Sequence, residues 1–372
     1  MMSVKFWDML TKRFVVFSIV QALVLCLCIF LSVNHFGGDG WQRTKSVALI
    51  LASPNDTEGW PREIALGMQQ ACDELGYELY IEDEVAVGSD ACHQVIEKLI
   101  ARGVKRIFLA NPGYQKEVEV LARKYPQVSF FANSAGEIVS DEILNYSVRY
   151  YDVRYLSGVL AGLHTKTGIV GYAAPFPAAE TRRDLNAFAL GVQSVRPDAR
   201  ILFRWTGQWI SPAKEHEAVY LLKMQGADVM GYFAATQAIA AAAEEIGMDY
   251  IDFHRLRSDN AHCIAAIETD WRMVYTELLR MNRRSEGEHV YWKGLFDDVV
   301  CLHLQNGALT PREEALVGRA RSALWSGQQI FSGNIIDQSG SQRCMEGEVI
   351  SNSDVRTRMD WLVRGVESIE SK

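Results

Sequence analysis

Cysteine is scarce in this chain, seven in 372 residues, and no two stand as CxxC. Beyond residue 44 only Cys72, Cys92, Cys263, Cys301 and Cys344 remain, an odd number without metal-ligand spacing. Neither a full disulfide framework nor a zinc site is therefore signalled. One or two bridges stay open, and buried apolar thiols are the simpler reading for most of the five. Phosphate-binding glycine loops are missing as well: no GxGxxG follows a strand, and neither GxxxxGK[ST] nor a GxSxG elbow occurs. His216-Glu217-Ala218-Val219-Tyr220 starts like a zinc-protease motif but ends in tyrosine, and Ser211 to Lys214 matches SxxK only as a short pattern at a helix start. No catalytic constellation, metal site or cofactor is expected. A positive face is also lacking. Asp and Glu number 46 against 38 Lys and Arg, and because the first 44 residues carry a net +2, the rest carries −10. Nucleic acid, whose phosphates need neutralising, is an unsuitable partner.

What the chain does have is apolar residues, 48% of the total. Phe14 to Val33 (FVVFSIVQALVLCLCIFLSV) contains no charge, and twenty helical residues at 1.5 Å each just span a bilayer core of about 30 Å. Lys5, Lys12 and Arg13 precede it, which puts residues 1–13 in the cytoplasm and everything after the span outside. A cleaved signal has a shorter apolar run and a small-x-small exit. This run ends Leu31-Ser32-Val33-Asn34, so an uncleaved single-pass anchor is expected over 14–33. Cys26 and Cys28 follow leucines, where a lipoprotein signal wants small residues.

From Ser46 the pattern alternates. Short apolar strands (Ser46 to Ala52, Leu79 to Ile81, Arg106 to Ala110, Val128 to Ala132) are separated by segments of helical periodicity, the mark of a parallel sheet covered on both faces. After Asn145 to Val148 and a helix over Tyr151 to His164, a second series begins. Its strands are Gly168 to Ala174, Ile201 to Trp205, Val229 to Phe233 and Tyr250 to Phe253. Cys263 to Ile267 reads as a further strand, and helices are expected over Trp271 to Met281, Arg312 to Ser326 and Asp354 to Ile369. The expectation is an α/β protein of two lobes: 45–146 with about 268–302, and 147–267 with about 303–372.

In open α/β sheets, ligands sit beyond the carboxyl ends of the strands. The loops there hold Asn55, Asp56 and Trp60; Asn111 and Tyr114; Asn133 and Ser134; Pro175 and Phe176; and Trp205 with Trp209. Amides and carboxylates beside aromatic rings suit a flat polar ligand, stacked on its face and hydrogen-bonded at its edge. Singly, the same residues serve equally well as helix caps and core plugs.

Several segments, in order, carry a resemblance: PNDTEGW, LARKYPQVSFF, NYSVRYYDVRYLSGVLAG, KTGIVGYAAPFP, NAFALGVQSVRPDARILFRWTGQWISPAKE, QGADVM, AAEEIG, FSGNIIDQSG and MDWLVRGV. From about Ser46 to Val366 the chain resembles the basic membrane protein (BMP or Med-like) family of extracytoplasmic substrate-binding proteins of ABC transporters. The resemblance implies a type I periplasmic-binding fold, two Rossmann-like lobes joined by a three-crossover hinge that closes on a small molecule. It further implies a purine ligand stacked between aromatic side chains and no enzymatic activity. By position, Trp60 becomes the stacking ring, Asn55 and Asp56 edge readers, Phe176 and Trp209 the opposing wall, and Trp271 a tryptophan of the nucleobase-binding branch. The chain also departs from the family. His254, or Asp252 beside it, stands where nucleoside binders carry an acid for ribose, Glu268 stands where they carry a lysine, and Ala234 and Ala235 replace polar residues. A purine base or related compound is thus expected in preference to a nucleoside, delivered to an ABC permease. The alternative is an anchored sensor that presents its closed form to a membrane signalling protein.

Overall fold

The apolar run at the head of the alternating region forms β1 (Lys45–Ile50), covered on both faces from Val47 onward. The computed structural model describes residues 45–134, 143–256, 260–281 and 290–369. The segments 1–13 and 14–33, read as tail and anchor, lie outside the described residues. Among the described residues no helix is long and apolar enough to cross a membrane.

After β1, α1 (Trp60–Leu75) starts with Pro61 in its first turn and stops at Gly76, whose φ of 71° forms a left-handed cap. Its apolar stripe, Ile64, Met68 and Ala71, is fully buried. Then come β2 (Tyr77–Glu82), α2 (Asp90–Ala101), β3 (Arg106–Leu109), α3 (Gln115–Lys124), β4 (Ser129–Asn133) and β5 (Ile143–Arg149). The second series is α4 (Tyr151–His164), β6 (Ile169–Ala174), α5 (Ala179–Val195), β7 (Arg200–Trp205), α6 (Pro212–Met224), β8 (Val229–Tyr232), α7 (Ala238–Glu245), β9 (Asp249–Asp252) and β10 (Cys263–Thr269). The chain continues through α8 (Trp271–Arg280), β11 (Val290–Gly294), β12 (Val300–Leu304), α9 (Pro311–Trp325), the small pair β13 (Ile335–Ile336) and β14 (Gln342–Cys344), α10 (Asn352–Thr357) and β15 (Val366–Ser368).

Two main sheets result, ordered β11-β5-β4-β3-β1-β2 and β12-β10-β9-β8-β6-β7-β15. In the first sheet β11, β5, β4, β3 and β1 pair parallel, and in the second β10, β9, β8, β6, β7 and β15 do, whereas β12 runs antiparallel to β10. Strands 5 and 6, 10 and 11, and 11 and 12 belong to different sheets, so the chain passes between the halves three times, at 149–150, 269–271 and 294–300. All five cysteines among the described residues are free thiols, four of them buried, so the bridges left open by the sequence do not form there.

The end of the chain departs from expectation. Asp354 to Ile369 is not one helix: α10 stops at Thr357, and Gly365, at φ 91°, turns the chain into β15 beside β7. Trp361, Leu362, Val363 and Val366 mimic a helical stripe in sequence. Instead, the Asn186 side chain clamps this stretch extended, donating to the Trp361 carbonyl at 3.0 Å and accepting from the Val363 amide at 2.8 Å.

Helices α4 and α5 touch backbone to backbone, because Gly158 and Gly191 leave the crossing free of side chains. A Cβ on Gly158 would lie 2.0 Å from the Phe188 carbonyl oxygen, and one on Gly191 2.1 Å from that of Tyr155. This approach brings Arg154 of α4 beside Asp184 of α5. Gly158→Ala should therefore destabilise the fold by about 1–3 kcal/mol, the range for overpacking a tight core. Urea unfolding measures it, and a midpoint equal to that of the parent would show that the helices can separate freely.

Candidate functional site

A cavity of about 100 Å³ lies where the loops at the carboxyl ends of both sheets meet. From the first half it is lined by Ser53 after β1, Trp60 at the start of α1, Asn111 after β3 and Asn133 at the end of β4. Tyr150 and Trp271 stand at two of the passages between the sheets, and Trp209, Phe233 and Phe253 come from the loops after β7, β8 and β9. The rings brace one another edge to face. Trp60 meets Trp271 at 6.2 Å and 84°, Tyr150 meets Phe253 at 5.0 Å and 68°, and Phe233 leans on Phe253 at 4.8 Å. The Tyr150 hydroxyl is fixed by Thr269 at 3.0 Å. Such walls offer flat apolar faces to a ring inserted between them.

One wall is charged. Glu180, Arg183 and Asp184, in the first two turns of α5, all border the cavity. Asp184 is 1% exposed, and its Oδ1 accepts a long bond of 3.4 Å from Arg183 Nε. Behind it, the fully buried Arg154 donates from Nη1 to the Tyr232 carbonyl at 2.7 Å and lays its guanidinium 4.1 Å from the centre of the Phe253 ring. Burial pushes both acids upward from the usual carboxylate range. Arg183 opposes the rise at each, joined at Asp184 by Arg154, while Asp184 adds to it at Glu180.

The halves are joined across the cavity mouth. The Trp60 amide donates to the Ala235 carbonyl at 3.0 Å, and Gly59 bridges Thr236. The Thr236 hydroxyl donates to the buried Glu215 of α6, whose other oxygen accepts from the Ser211 amide at 3.1 Å. That single carboxylate thus ties together the loops after β7 and β8. Nearby, His254 Nδ1 lies 3.5 Å from Glu63 of α1, and its Nε2 is 2.9 Å from the Ala234 carbonyl. Burial alone would depress the His254 pKa, but the hydrogen bond and charge of Glu63, with Asp252 close by, outweigh it and raise the value.

Of the ten residues singled out in the sequence, Trp60, Asn133, Trp209 and Trp271 border the cavity. Phe176 stands behind Trp209, ring to ring at 4.8 Å. The other five lie outside the lining. Asn55 donates its amide to Asp83 at 3.0 Å, and Asp56 is exposed. Tyr114 is fully buried and donates to the Val85 carbonyl. Glu268 accepts from the Leu256 amide at 2.7 Å and has His303 at 3.8 Å, and His254 sits in the contact with Glu63. The charged residues of α5 went unmarked, because ETRRD inside a helical pattern reads as a solvated face. A tighter signal was available in Ala174-Pro175-Phe176-Pro177, which ends a buried strand and so aims the next helix start at the ligand side.

Residues 44–318 match the model of the Bmp family, described as ABC transporter substrate-binding protein PnrA-like. A purine-binding protein of Brucella abortus (strain 2308) is 27% identical over 333 residues, covering 86% of this chain and 92% of that protein. A putative ABC transporter glucose-binding protein of Haloferax volcanii is 32% identical over 212 residues, 57% of this chain and 54% of that one. Among solved structures, a transcriptional activator of the comK gene from Bacillus halodurans aligns with a TM-score of 0.66 at 19% identity, covering 76% of this chain and 99% of its own. An ABC transporter solute-binding protein of Conexibacter woesei aligns with a TM-score of 0.60 at 18% identity, covering 76% and 96%. At these identities the two structures bear on fold alone.

Proposed function

The chain belongs to the Bmp family of PnrA-like ABC transporter substrate-binding proteins, and from that premise we propose that it captures a purine nucleobase outside the cytoplasm for an ABC importer. Its relatives in this family are substrate-binding proteins, not enzymes, and the curated relative from Brucella abortus is named as a purine binder. The observation that carries the choice of ligand is the lining of the cavity, in which Ala234 and Ala235, standing where the resemblance places polar residues, offer no side-chain partner to a sugar. Aromatic faces supply stacking for the ring, and Asn111, Asn133 and the acids of α5 supply partners for its edge.

In this reading the two lobes hinge about the three passages, and the contact of Gly59 and Trp60 with Ala235 and Thr236 forms on closure. The apolar run 14–33 would hold the receptor at the membrane, with the permease as its partner.

Thermal unfolding of the full chain in detergent tests the ligand class. Adenine or hypoxanthine at a hundredfold excess over its dissociation constant should stabilise the folded form by about 2.7 kcal/mol. Adenosine and inosine should bind at least tenfold more weakly, a difference of about 1.4 kcal/mol. Equal or tighter binding of the nucleosides, or a response to glucose and to none of the bases, would sink the proposal.

A further inference from the structure

One buried histidine meets both halves of the protein beside the cavity, and its neighbours fix its protonation. His254, in the loop after β9, is 3% exposed. Its Nε2 lies 2.9 Å from the Ala234 carbonyl oxygen, which belongs to its own half. Its Nδ1 lies 3.5 Å from Oε2 of Glu63, in the first turn of α1 in the opposite half. A carbonyl oxygen only accepts, so Nε2 carries a hydrogen. A neutral imidazole has a single N–H, and Nδ1 would then turn a bare lone pair toward a carboxylate. Negative charge on Glu63 is favoured by its place at the start of a helix. Only the imidazolium, with a donor on each nitrogen, suits both neighbours, and the upward displacement of the His254 pKa agrees with that geometry.

We propose that His254 is a proton-dependent latch between the lobes, its imidazolium tying the loop after β9 to α1 in the closed form, so that closing on a ligand takes up a proton. This rests on the reading of the protein as a hinged receptor. The latch adjoins the backbone contact between the halves, since Ala234 is followed by Ala235, whose carbonyl receives the Trp60 amide. Parting the halves removes Glu63 and leaves Ala234 in place, and the His254 pKa falls back toward the ordinary imidazole value of about 6.5. A group whose pKa is higher in the closed form favours closure fully below its open-state value. That contribution is lost as the pH rises through the closed-state value.

Among the described residues, the other charged and titratable groups around His254 stay with it when the halves part. From β9, Asp252 accepts from the His254 amide at 2.9 Å and from the Tyr232 hydroxyl of β8 at 2.6 Å. From α4, Arg154 lays its guanidinium 4.1 Å from the centre of the neighbouring Phe253 ring. From β10, Glu268 holds the Leu256 amide at 2.7 Å. On α1, Arg62 is exposed and stands 3.9 Å from Glu58. Glu63 is therefore the charge that His254 gains on closure.

Adenine is titrated calorimetrically into the full chain in detergent from about pH 5.5 to about pH 8.5, in two buffers of different ionisation enthalpy. The wild type should lose roughly tenfold in affinity across that range, the factor for one pKa unit between open and closed forms, and should take up a fraction of a proton on binding. In Glu63→Gln the side-chain amide can donate to a neutral Nδ1. Its affinity should therefore vary by less than about threefold over the same range, and the buffer-dependent heat should vanish. His254→Gln should be equally flat. A wild type that is flat with pH and takes up no proton overturns the inference. So does a Glu63→Gln variant that keeps the slope and the uptake, which would then arise at Glu180 or Asp184 in the cavity wall. Should the buried His254 tolerate no substitution, Glu63→Gln, on a partly exposed side chain, and the proton count on the wild type decide the matter. If no purine base binds the wild type at all, the proposed function fails and this inference with it, whereas tight binding that is flat with pH removes this inference alone.

Discussion

Gly59→Ala should lower the affinity for adenine by roughly a hundredfold while leaving the unliganded protein nearly as stable as before. Gly59 has φ 106° and ψ −146°, a conformation that side chains rarely adopt, at a penalty of about 1–3 kcal/mol. An added Cβ would also lie 2.4 Å from the carbonyl oxygen of Ala235, which belongs to the opposite half. That neighbour is backbone, so the two halves themselves must move apart. If the halves can part, the loop relaxes in the open form and the penalty falls on closure alone. A shift of about 2.7 kcal/mol against the closed form corresponds to two decades of affinity. Calorimetry with adenine measures the loss, and small-angle scattering should show the variant staying expanded at ligand concentrations that compact the wild type. Affinity within threefold of wild type would mean that the bridge between Gly59 and Thr236 is no part of ligand capture.

Arg154→Met should destabilise the protein by about 3–5 kcal/mol at pH 8, the range for breaking one side of a buried ion pair. Methionine fills much of the volume and keeps the contact with Phe253. It leaves the Tyr232 carbonyl without its donor and Asp184 with only the long bond from Arg183. The sign of the pH dependence follows from Asp184. Burial already raises its pKa in the folded state, and losing a cation raises it further. A carboxyl with a raised folded pKa binds more protons folded than unfolded, so it stabilises the fold as the pH drops from that pKa toward the unfolded value of about 3.9. The deficit of the variant should therefore shrink between pH 8 and pH 5. Urea denaturation at both pH values decides it. A deficit below 1 kcal/mol, or one that does not change with pH, would show that Arg154 and Asp184 are not coupled.

The alternation of strands and helices was legible because strands covered on both faces must be continuous apolar runs. Ser46 to Ala52 and Gly168 to Ala174 could hardly be anything else. The stretch after Asp354 misled because its apolar spacing is satisfied by tertiary contacts, above all the clamp from Asn186, which lies more than 170 residues earlier. In the site, the tryptophans could be found because they lie in or at the end of the loops that follow strands. Asn55, Asp56 and Tyr114 also follow strands, yet their roles are local: an amide held by Asp83, an exposed turn, and a ring plugged under Val85. The carboxylates of α5 were invisible for the opposite reason. A charged helix start is ordinarily solvated, and only the packing of α4 against α5 turns this one inward.

The strand β15 has a consequence for how the chain acquires its structure in time. It pairs with β7 across more than 160 residues, Val366 with Ile201, and it covers an edge that would otherwise be open to pairing with another chain. Contacts so distant in sequence form slowly, since the entropy of closing the intervening loop is lost before they begin to reward it. The seven-stranded sheet is therefore incomplete until residues 366–368 are available, and a nascent chain synthesised from its N-terminus has the rest of that sheet waiting on a three-residue strand. The open edge of β7 is thus closed last, when the final strand arrives beside it.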